Sequence, residues 1–214
     1  MTTSPAPELS VVVPAFNEEE NVVALVEEIA QALRGRMPFE MLFVDDHSRD
    51  GTLAALRAAC ARFPELRVLH HARQSGQSTA VRNGVKAARA AWIATLDGDG
   101  QNDPADIPKL VAARASADAR VKCFAGWRVN RRDDALKRFS SKVANGVRSR
   151  ILRDATPDTG CGLKLFERAA FLELPYFDHM HRFLPALFQR DGWQVLSVPV
   201  NHRPRTRGVS KYGM

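Results

Sequence analysis

Residues 9–35, LSVVVPAFNEEENVVALVEEIAQALRG, contain the pattern that decides the fold. Residues 9–16 are apolar and rich in β-branched side chains, which predicts a buried strand. Residues 18–35 then repeat apolar side chains at helical spacing, with Asn17 as the expected N-cap. The stretch therefore predicts a strand that leads directly into a helix packed against it.

The same strand–helix unit recurs along the first half of the chain. Further strands are predicted at residues 39–46, 66–72 and 92–97, and further helices at 51–63, 76–91 and 104–114. The second half predicts strands at 121–128 and 193–200, and helices at 135–152 and 183–190. Strict alternation implies an α/β domain, a mostly parallel twisted sheet with helices on both faces. We expect a single domain over residues 1–214.

The composition limits the classes of partner and compartment. The chain has 214 residues, 45% of them hydrophobic, and a formal net charge of +7, which favours an anionic partner. Its three cysteines are widely spaced and fit neither a disulfide framework nor a zinc site. No stretch approaches the roughly 20 apolar residues of a membrane span. We therefore expect a cytoplasmic protein, or one that lies on a membrane without crossing it.

Acidic side chains follow three of the predicted strands at their carboxyl ends. In open parallel sheets these ends meet at one edge, and ligands bind outside it. The sequence therefore predicts one acidic ligand-binding edge. The acids placed there are Glu18 after the first strand, Asp45 and Asp46 after the second, and Asp97 and Asp99 after the fourth.

Three common sites do not fit this edge. A dinucleotide-binding fold would carry G-x-G-x-x-G after the first strand, where this chain has PAFNEEE, and a Walker-type lysine loop is also missing from the sequence. An EF-hand loop beginning at Asp97 fails because Asn102 stands where Gly is required and Pro108 where Glu is required.

An acidic edge on a basic protein suits a divalent cation held between carboxylates and phosphate oxygens. Asp97 and Asp99, two residues apart on a turn, are suitable ligands for Mg²⁺ or Mn²⁺, and Gln101 can add a carbonyl oxygen or orient a water. The alternative is that these residues only cap the turn and the helix near Pro104. Asp46 has a different expected role, because an acid that ends a strand often accepts hydrogen bonds from a ribose or a base.

Four motifs in order, PAFNEEENV, FVDDHSRDGT, LDGDGQNDP and HRPRTRGVSKYG, resemble family 2 glycosyltransferases. Within that family the chain looks like the branch of dolichol-phosphate mannosyltransferases and polyprenyl-phosphate glycosyltransferases. The resemblance implies a GT-A-like fold and inverting transfer of a sugar from a nucleoside diphosphate. It also implies a nucleotide-sugar-binding half at residues 9–115, an acceptor half at 116–200 and a basic tail loop at 201–214.

The resemblance assigns roles to individual residues. The D-x-D metal motif is Asp97 and Asp99, completed by Gln101, and Arg128 contacts the diphosphate or the acceptor phosphate. The donor-binding set is Pro14, Ala15, Glu18, Asp46, Gly98, Arg205 and Lys211. We expect Arg205 and Lys211 to close over the donor.

The acceptor is predicted from the absence of a second acidic motif. A sugar hydroxyl needs a general base, and the sequence after the D-x-D reads DTGCGLKLF and HMHRFLPAL, without a Glu-Asp pair. A phosphate monoester is already anionic and needs only cations, so we expect a polyprenyl or dolichyl phosphate acceptor. The cations expected to hold it are Arg128, Arg131, Arg138 and Arg182. Asp158 is either a weak base or donor-positioning residue, or a turn residue.

Other functions stay open at this point. A glycosyltransferase acting on a hydroxyl of a lipopolysaccharide or polysaccharide is the alternative within the class. A metal-dependent phosphohydrolase is another, and the charge alone also suits a non-catalytic anion- or nucleic-acid-binding module. The acids at the strand ends disfavour nucleic acid as a partner. The expected location is the cytoplasmic face of a membrane, with Trp127 and Phe139 as candidate contacts.

Overall fold

A computed structural model describes residues 6–129 and 156–204. Seven strands form one sheet in the order β3-β2-β1-β4-β6-β5-β7. The strands are β1 (Leu9–Ala15), β2 (Phe39–Asp45), β3 (Leu66–His70), β4 (Trp92–Thr95), β5 (Val121–Arg128), β6 (Lys164–Glu167) and β7 (Gln194–Val200). All neighbouring pairs are parallel except the two that involve β6, which runs antiparallel to β4 and to β5. The predicted α/β class with a mostly parallel sheet is confirmed.

Helices flank this sheet. They are α1 (Val22–Leu33), α2 (Thr52–Ala59), α3 (Gln77–Ala87), α4 (Ile107–Ala115), α5 (Arg168–Glu173) and α6 (Leu184–Arg190), with 3₁₀ turns at Pro104–Asp106 and Met180–Arg182. The predicted helix at 135–152 lies outside the described residues.

The core has two layers because successive strand residues point to opposite faces of the sheet. Val11 and Val13 of β1 are buried in one layer, which α1, α2 and α4 cover. Val12 of β1 and Leu42 of β2 are buried in the other, which α3, α5 and α6 cover. Burial on both faces explains why β1 and β2 read as continuous apolar runs rather than as alternating patterns.

The first helix begins later than the sequence suggests. It starts at Val22 with Asn21 at the N-cap position, so the prediction of Asn17 as the cap is wrong. Asn17 instead has a left-handed backbone, with φ 52°. Its Oδ1 accepts a hydrogen bond from the Arg49 amide at 2.7 Å. Asn17 therefore ties the loop after β1 to the loop after β2, at the edge where the acids lie.

Two elements were not predicted, β6 and α5. The four residues of β6 are too few for periodicity to be visible, and its first residue is the lysine Lys164. In the parts of the chain that the structure describes, no helix is both long enough and apolar enough to span a bilayer.

Candidate active site

The candidate site lies where β1 and β4 pair side by side. The chain progresses from β1 outward to β2 and β3 and then returns to β4 on the other side of β1, which makes this the topological switch point of the sheet. Ligands of open α/β sheets bind at such points, outside the carboxyl ends of the strands. Asp97 and Asp99 follow β4 at this position.

The carboxylate of Asp97 is oriented by its neighbours. Its Oδ1 accepts a hydrogen bond from Nε2 of Gln77 at 2.8 Å, and its amide donates to Oδ1 of Asn102 at 3.2 Å. Burial raises the pKa of Asp97, and the nearby charge of Asp99 raises it further, against opposing effects of Lys164, Gln77 and Arg128. Two repelling carboxylates close together are the electrostatic setting that a divalent cation relieves.

Two glycines make room for this motif. A Cβ at Gly162 would lie 2.2 Å from Oδ2 of Asp97 and 2.6 Å from Oδ1 of Asn102. A Cβ at Gly98 would lie 2.8 Å from the Pro14 carbonyl oxygen, so Gly98 packs directly on the end of β1. Any larger residue at either position would displace the acidic turn.

The turn offers hard oxygen ligands for a metal. Oδ1 of Asp99 accepts a hydrogen bond from the Gln101 amide at 3.1 Å, which orients the Asp99 carboxylate at the turn. Among the described residues, no group of three or more His, Cys, Asp or Glu side chains is placed to hold a metal. A pair of carboxylates nevertheless fits Mg²⁺ or Mn²⁺, which substrate phosphates and water complete.

Arg128 and Asp158 form a bidentate ion pair beside this turn. Nε and Nη2 of Arg128 donate to the two carboxylate oxygens of Asp158 at 2.6 and 2.9 Å, and the side chains are only 12% and 6% exposed. Burial alone lowers the pKa of Arg128, but hydrogen bonding to Asp158 and the charges of Asp158 and Asp97 raise it overall. Asp158 therefore fixes the guanidinium of Arg128 beside the acidic turn.

Lys164 supplies a second cation at the same place. It is 3% exposed, and its Nζ donates to the Cys161 carbonyl oxygen. With Pro14, Gln77, Asp97 and His181 it lines one small cavity. Lys164 thus places a positive charge at the back of the cavity in which Asp97 lies.

His181 closes the cavity from the side of α3. Its Nδ1 lies 2.7 Å from the hydroxyl of Ser78. Burial, followed by the charges of Lys164, Arg182 and His179, lowers the pKa of His181 to about 4. The ring is therefore neutral near pH 7.

The predicted donor-side acids lie at the same sheet edge. Asp46 is 4% exposed, and its carboxylate accepts hydrogen bonds from the Ser75 and Gly76 amides, both at 2.8 Å. Glu18 is also buried, and its Oε2 accepts from Nδ2 of Asn21 at 2.7 Å. Both side chains therefore hold backbone or side-chain groups of the surrounding loops.

The segment after β7 lies on the loop that follows the D-x-D motif. The Arg203 amide donates to the Gln101 carbonyl oxygen at 3.0 Å. Nη1 of Arg203 pairs with Glu28 and its Nη2 with Asp103, at 2.5 and 2.6 Å. The chain entering the basic tail is thus attached next to the acidic turn.

The remaining predicted cations divide into two groups. Arg182 is exposed on the 3₁₀ turn beside His181. Outside the described residues lie Arg131, Arg138, Arg205 and Lys211, together with the aromatic Phe139.

Four residues of the site were not found by sequence reasoning. Gln77, Asn102, Gly162 and Lys164 surround Asp97, yet they come from three separate parts of the chain. Asn102 follows the D-x-D motif closely, and the sequence around Gly162, DTGCGLKLF, is typical of an ordinary turn. Gln77 and Lys164 have no local signal, because their function depends on contacts formed by the fold.

A parallel sheet with two carboxylates at its switch point and fixed cations beside them is typical of proteins that bind phosphorylated ligands through a divalent cation. The chain belongs to glycosyl transferase family 2, whose family model matches residues 10–174.

Two curated relatives illustrate the sequence similarity. Dodecaprenyl-phosphate galacturonate synthase of Rhizobium johnstonii is 38% identical over 97% of this chain. Undecaprenyl-phosphate 4-deoxy-4-formamido-L-arabinose transferase of Edwardsiella ictaluri is 31% identical over 96% of this chain. The chain spans 62% of the length of the first relative and 63% of the second.

Two solved structures share the fold. Glucosyl-3-phosphoglycerate synthase of Mycobacterium tuberculosis, crystallised with Mn²⁺, UDP and glucosyl-3-phosphoglycerate, has a TM-score of 0.74 at 17% identity, covering 94% of this chain and 73% of that one. The mannosyltransferase PcManGT of Pyrobaculum calidifontis, in complex with GDP-Man and Mn²⁺, has a TM-score of 0.69 at 20% identity, covering 97% of this chain and 59% of that one. At these identities the likeness establishes the fold.

Proposed function

We propose that the chain is the transferase domain of a metal-dependent, inverting enzyme that moves a sugar from a nucleoside-diphosphate sugar to a polyprenyl phosphate. The observation that carries this proposal is the Asp97–Asp99 turn at the switch point, with the Arg128 guanidinium fixed beside it. Family membership and the two relatives named for polyprenyl-phosphate products support the reaction class and the lipid acceptor.

On the donor side, Asp97, Asp99 and Gln101 would hold Mg²⁺ or Mn²⁺. When bound, this ion neutralises the charge that develops on the leaving diphosphate. Pro14, Ala15 and Gly98 form the wall next to the acidic turn, because Gly98 packs on the end of β1. The nucleoside would lie beyond them, towards Glu18 and Asp46, while Arg205 and Lys211 are proposed to approach from the tail.

On the acceptor side, cations are needed rather than a base. An oxygen of the acceptor phosphate attacks C1 of the sugar, and the bond from C1 to the diphosphate oxygen breaks, with its electron pair leaving on the diphosphate. Arg128 has the position and the fixed orientation to hold the incoming phosphate. Arg182, Arg131 and Arg138 are the further proposed contacts.

The engagement of Asp158 favours a phosphate acceptor over a hydroxyl. Both of its carboxylate oxygens accept hydrogen bonds from the Arg128 guanidinium, which makes it a weak proton acceptor. His181 is a poor base as well, because its pKa is lowered to about 4. Neither Asp158 nor His181 is thus suited to general-base catalysis.

A lipid acceptor implies contact with a membrane surface. Trp127 and Val129 are 40% and 52% exposed at the carboxyl end of β5, directly beside Arg128. Apolar side chains next to a phosphate-binding cation suit a site that approaches the headgroup region. We propose peripheral attachment to a membrane on this basis, and we propose the cytoplasmic face because the cysteine pattern of the sequence fits a reducing compartment.

Thermal unfolding with donors tests the proposal first. The donors are GDP-mannose, UDP-glucose, UDP-N-acetylglucosamine and UDP-galacturonate, each with Mn²⁺ and with chelator. A donor at about a hundred times its Kd adds roughly 2.7 kcal/mol, and transfer to polyprenyl phosphate is then measured with that donor.

We expect a shift with one donor that disappears with chelator and in Asp99→Asn, but persists in the matched control Asp118→Asn, a carboxylate in an exposed turn. If no donor shifts the unfolding of folded protein, the proposed function is wrong. If donor binds but free sugar is released in place of lipid-linked product, the chain is a hydrolase.

A further inference from the structure

The orientation of Asp97 depends on one side chain outside the motif. Gln77 is the first residue of α3, and its Nε2 donates to Oδ1 of Asp97 at 2.8 Å. The other oxygen, Oδ2, packs over Gly162, where no side chain can intrude. The carboxylate is therefore fixed on both sides, so its rotation about the Cβ–Cγ bond is restricted.

The loop that carries Gln77 is fixed in turn by a buried acid. Oδ1 of Asp46 accepts from the Ser75 amide, and Oδ2 accepts from the Gly76 amide, both at 2.8 Å. Gly76, immediately before Gln77, has φ 87° and ψ 157°, a positive-φ conformation that glycine adopts readily. Asp46 at the end of β2 thus sets where α3 begins.

His71 holds Asp46 in place. Nδ1 of His71 lies 2.7 Å from Oδ1 of Asp46, and its Nε2 lies 3.0 Å from Nδ2 of Asn83. Since the amide nitrogen of Asn83 can only donate, Nε2 accepts its hydrogen bond, and Nδ1 is protonated and donates a hydrogen bond to Asp46. The network therefore leads from His71 and Asp46 at the end of β2 through the loop to Gln77 and Asp97.

We propose that Gln77 is a positioning residue for the metal-binding carboxylate of Asp97, and that Asp46 acts on the same carboxylate by holding the loop before Gln77. This inference rests on the proposed function, because it assumes that Asp97 binds the metal. It gives Asp46 a role beyond the donor contact expected from the sequence. Residues that hold metal ligands in place typically contribute 10- to 100-fold to metal affinity.

The test is a titration with Mn²⁺ in the absence of donor, in which the free ion is measured by electron paramagnetic resonance. Because no donor is present, contacts with the donor cannot affect the measured affinity. Gln77→Met keeps the length of the side chain without its donor, and Gln77→Ala removes both. Gln74→Ala is the matched control, an exposed glutamine in the same loop. We expect about tenfold weaker Mn²⁺ binding in both Gln77 variants, with the unfolding temperature and the Gln74→Ala affinity unchanged.

A double-mutant cycle tests the link to Asp46. Asp46→Asn should weaken Mn²⁺ binding in the unmodified chain, but should add less than twofold in the Gln77→Met background, since the route through Gln77 is already broken. Full additivity of the two changes would overturn the role of Asp46.

The remaining outcomes separate the two proposals. If the unmodified chain binds Mn²⁺ and Gln77→Met binds it equally well, the positioning role of Gln77 is overturned and the proposed function stands. If the unmodified chain binds no Mn²⁺ alone but its donor-induced shift in unfolding requires Mn²⁺, the positioning role is overturned and the proposed function stands. If that shift is absent as well, both proposals are overturned.

Discussion

Removal of the Asp158 carboxylate should destabilise the protein by leaving Arg128 without its partner. In the structure the pair is bidentate, at 2.6 and 2.9 Å, and the two side chains are 12% and 6% exposed. Removing one partner of a buried ion pair lowers the free energy of unfolding by about 3–5 kcal/mol. We expect the lower end for Asp158→Ala, about 3 kcal/mol, because the Arg128 side chain remains 12% exposed to solvent.

The assay is thermal unfolding compared with a matched surface pair. At about 2–4 °C per kcal/mol for a chain of this size, Asp158→Ala should lower Tm by roughly 6–12 °C. Arg34 and Glu65 form the same bidentate geometry, at 2.9 and 2.9 Å, but with 47% and 22% exposure. Glu65→Ala should therefore cost at most about 1 kcal/mol.

Measurement of transfer activity tests whether Asp158 acts only by orienting Arg128. If Asp158 only orients Arg128, turnover should fall in Asp158→Ala, and adding Arg128→Ala should lower it little further, because the two residues act as one unit. This reasoning would be refuted if Asp158→Asn lost turnover while its Tm and its affinity for the donor stayed unchanged. Asp158 would then be a general base, and a hydroxyl acceptor would replace the phosphate.

Three further predictions follow from the geometry. Burial lowers the pKa of His181 to about 4, so the unfolded chain takes up a proton on this residue first as the pH falls. The free energy of unfolding should therefore decrease between about pH 6.5 and pH 4, by up to about 3 kcal/mol. Urea unfolding of His181→Gln should not show this decrease. Gly162→Ala places a Cβ against Asp97 and Asn102, so Mn²⁺ titration should show lost binding in protein whose circular dichroism shows it still folded. Arg168→Ala removes two hydrogen bonds to the Val85 and Lys86 carbonyl oxygens at the end of α3, at 2.9 and 2.8 Å, and should cost about 1–3 kcal/mol in urea unfolding.

The sequence was sufficient for the parallel part of the fold. The apolar runs of β1 and β2, each followed by helical periodicity, predict strands buried on both faces, and their carboxyl ends predict where Asp97 and Asp99 lie. These features are local, so a pattern of a few residues contains them. Helix starts are less well determined, as the shift from Asn17 to Asn21 illustrates, because the loop after β1 is shaped by contacts to Arg49 and Ser48.

The surroundings of Asp97 could not be predicted in the same way. Gln77 is 20 residues from Asp97 in sequence, and their contact depends on a loop that Asp46 holds. Gly162 reads as an ordinary turn glycine until the fold brings Asp97 against it. Long-range contacts of this kind leave no periodic or local signal.

The direction of β6 explains why these distant residues meet. A strand parallel to β4 would begin at the opposite edge of the sheet, far from the acidic turn. Because β6 runs antiparallel, its first residue, Lys164, pairs with Thr95 at the end of β4 and with Ala125 of β5. The segment that enters β6, residues 158–163, is therefore delivered to the carboxyl edge, where Asp158 pairs with Arg128 and Gly162 lies under Asp97. The reversed strand thus adds a glycine cradle and the cation Lys164 to this edge, and the segment that leads into it supplies Asp158, which fixes Arg128 of β5.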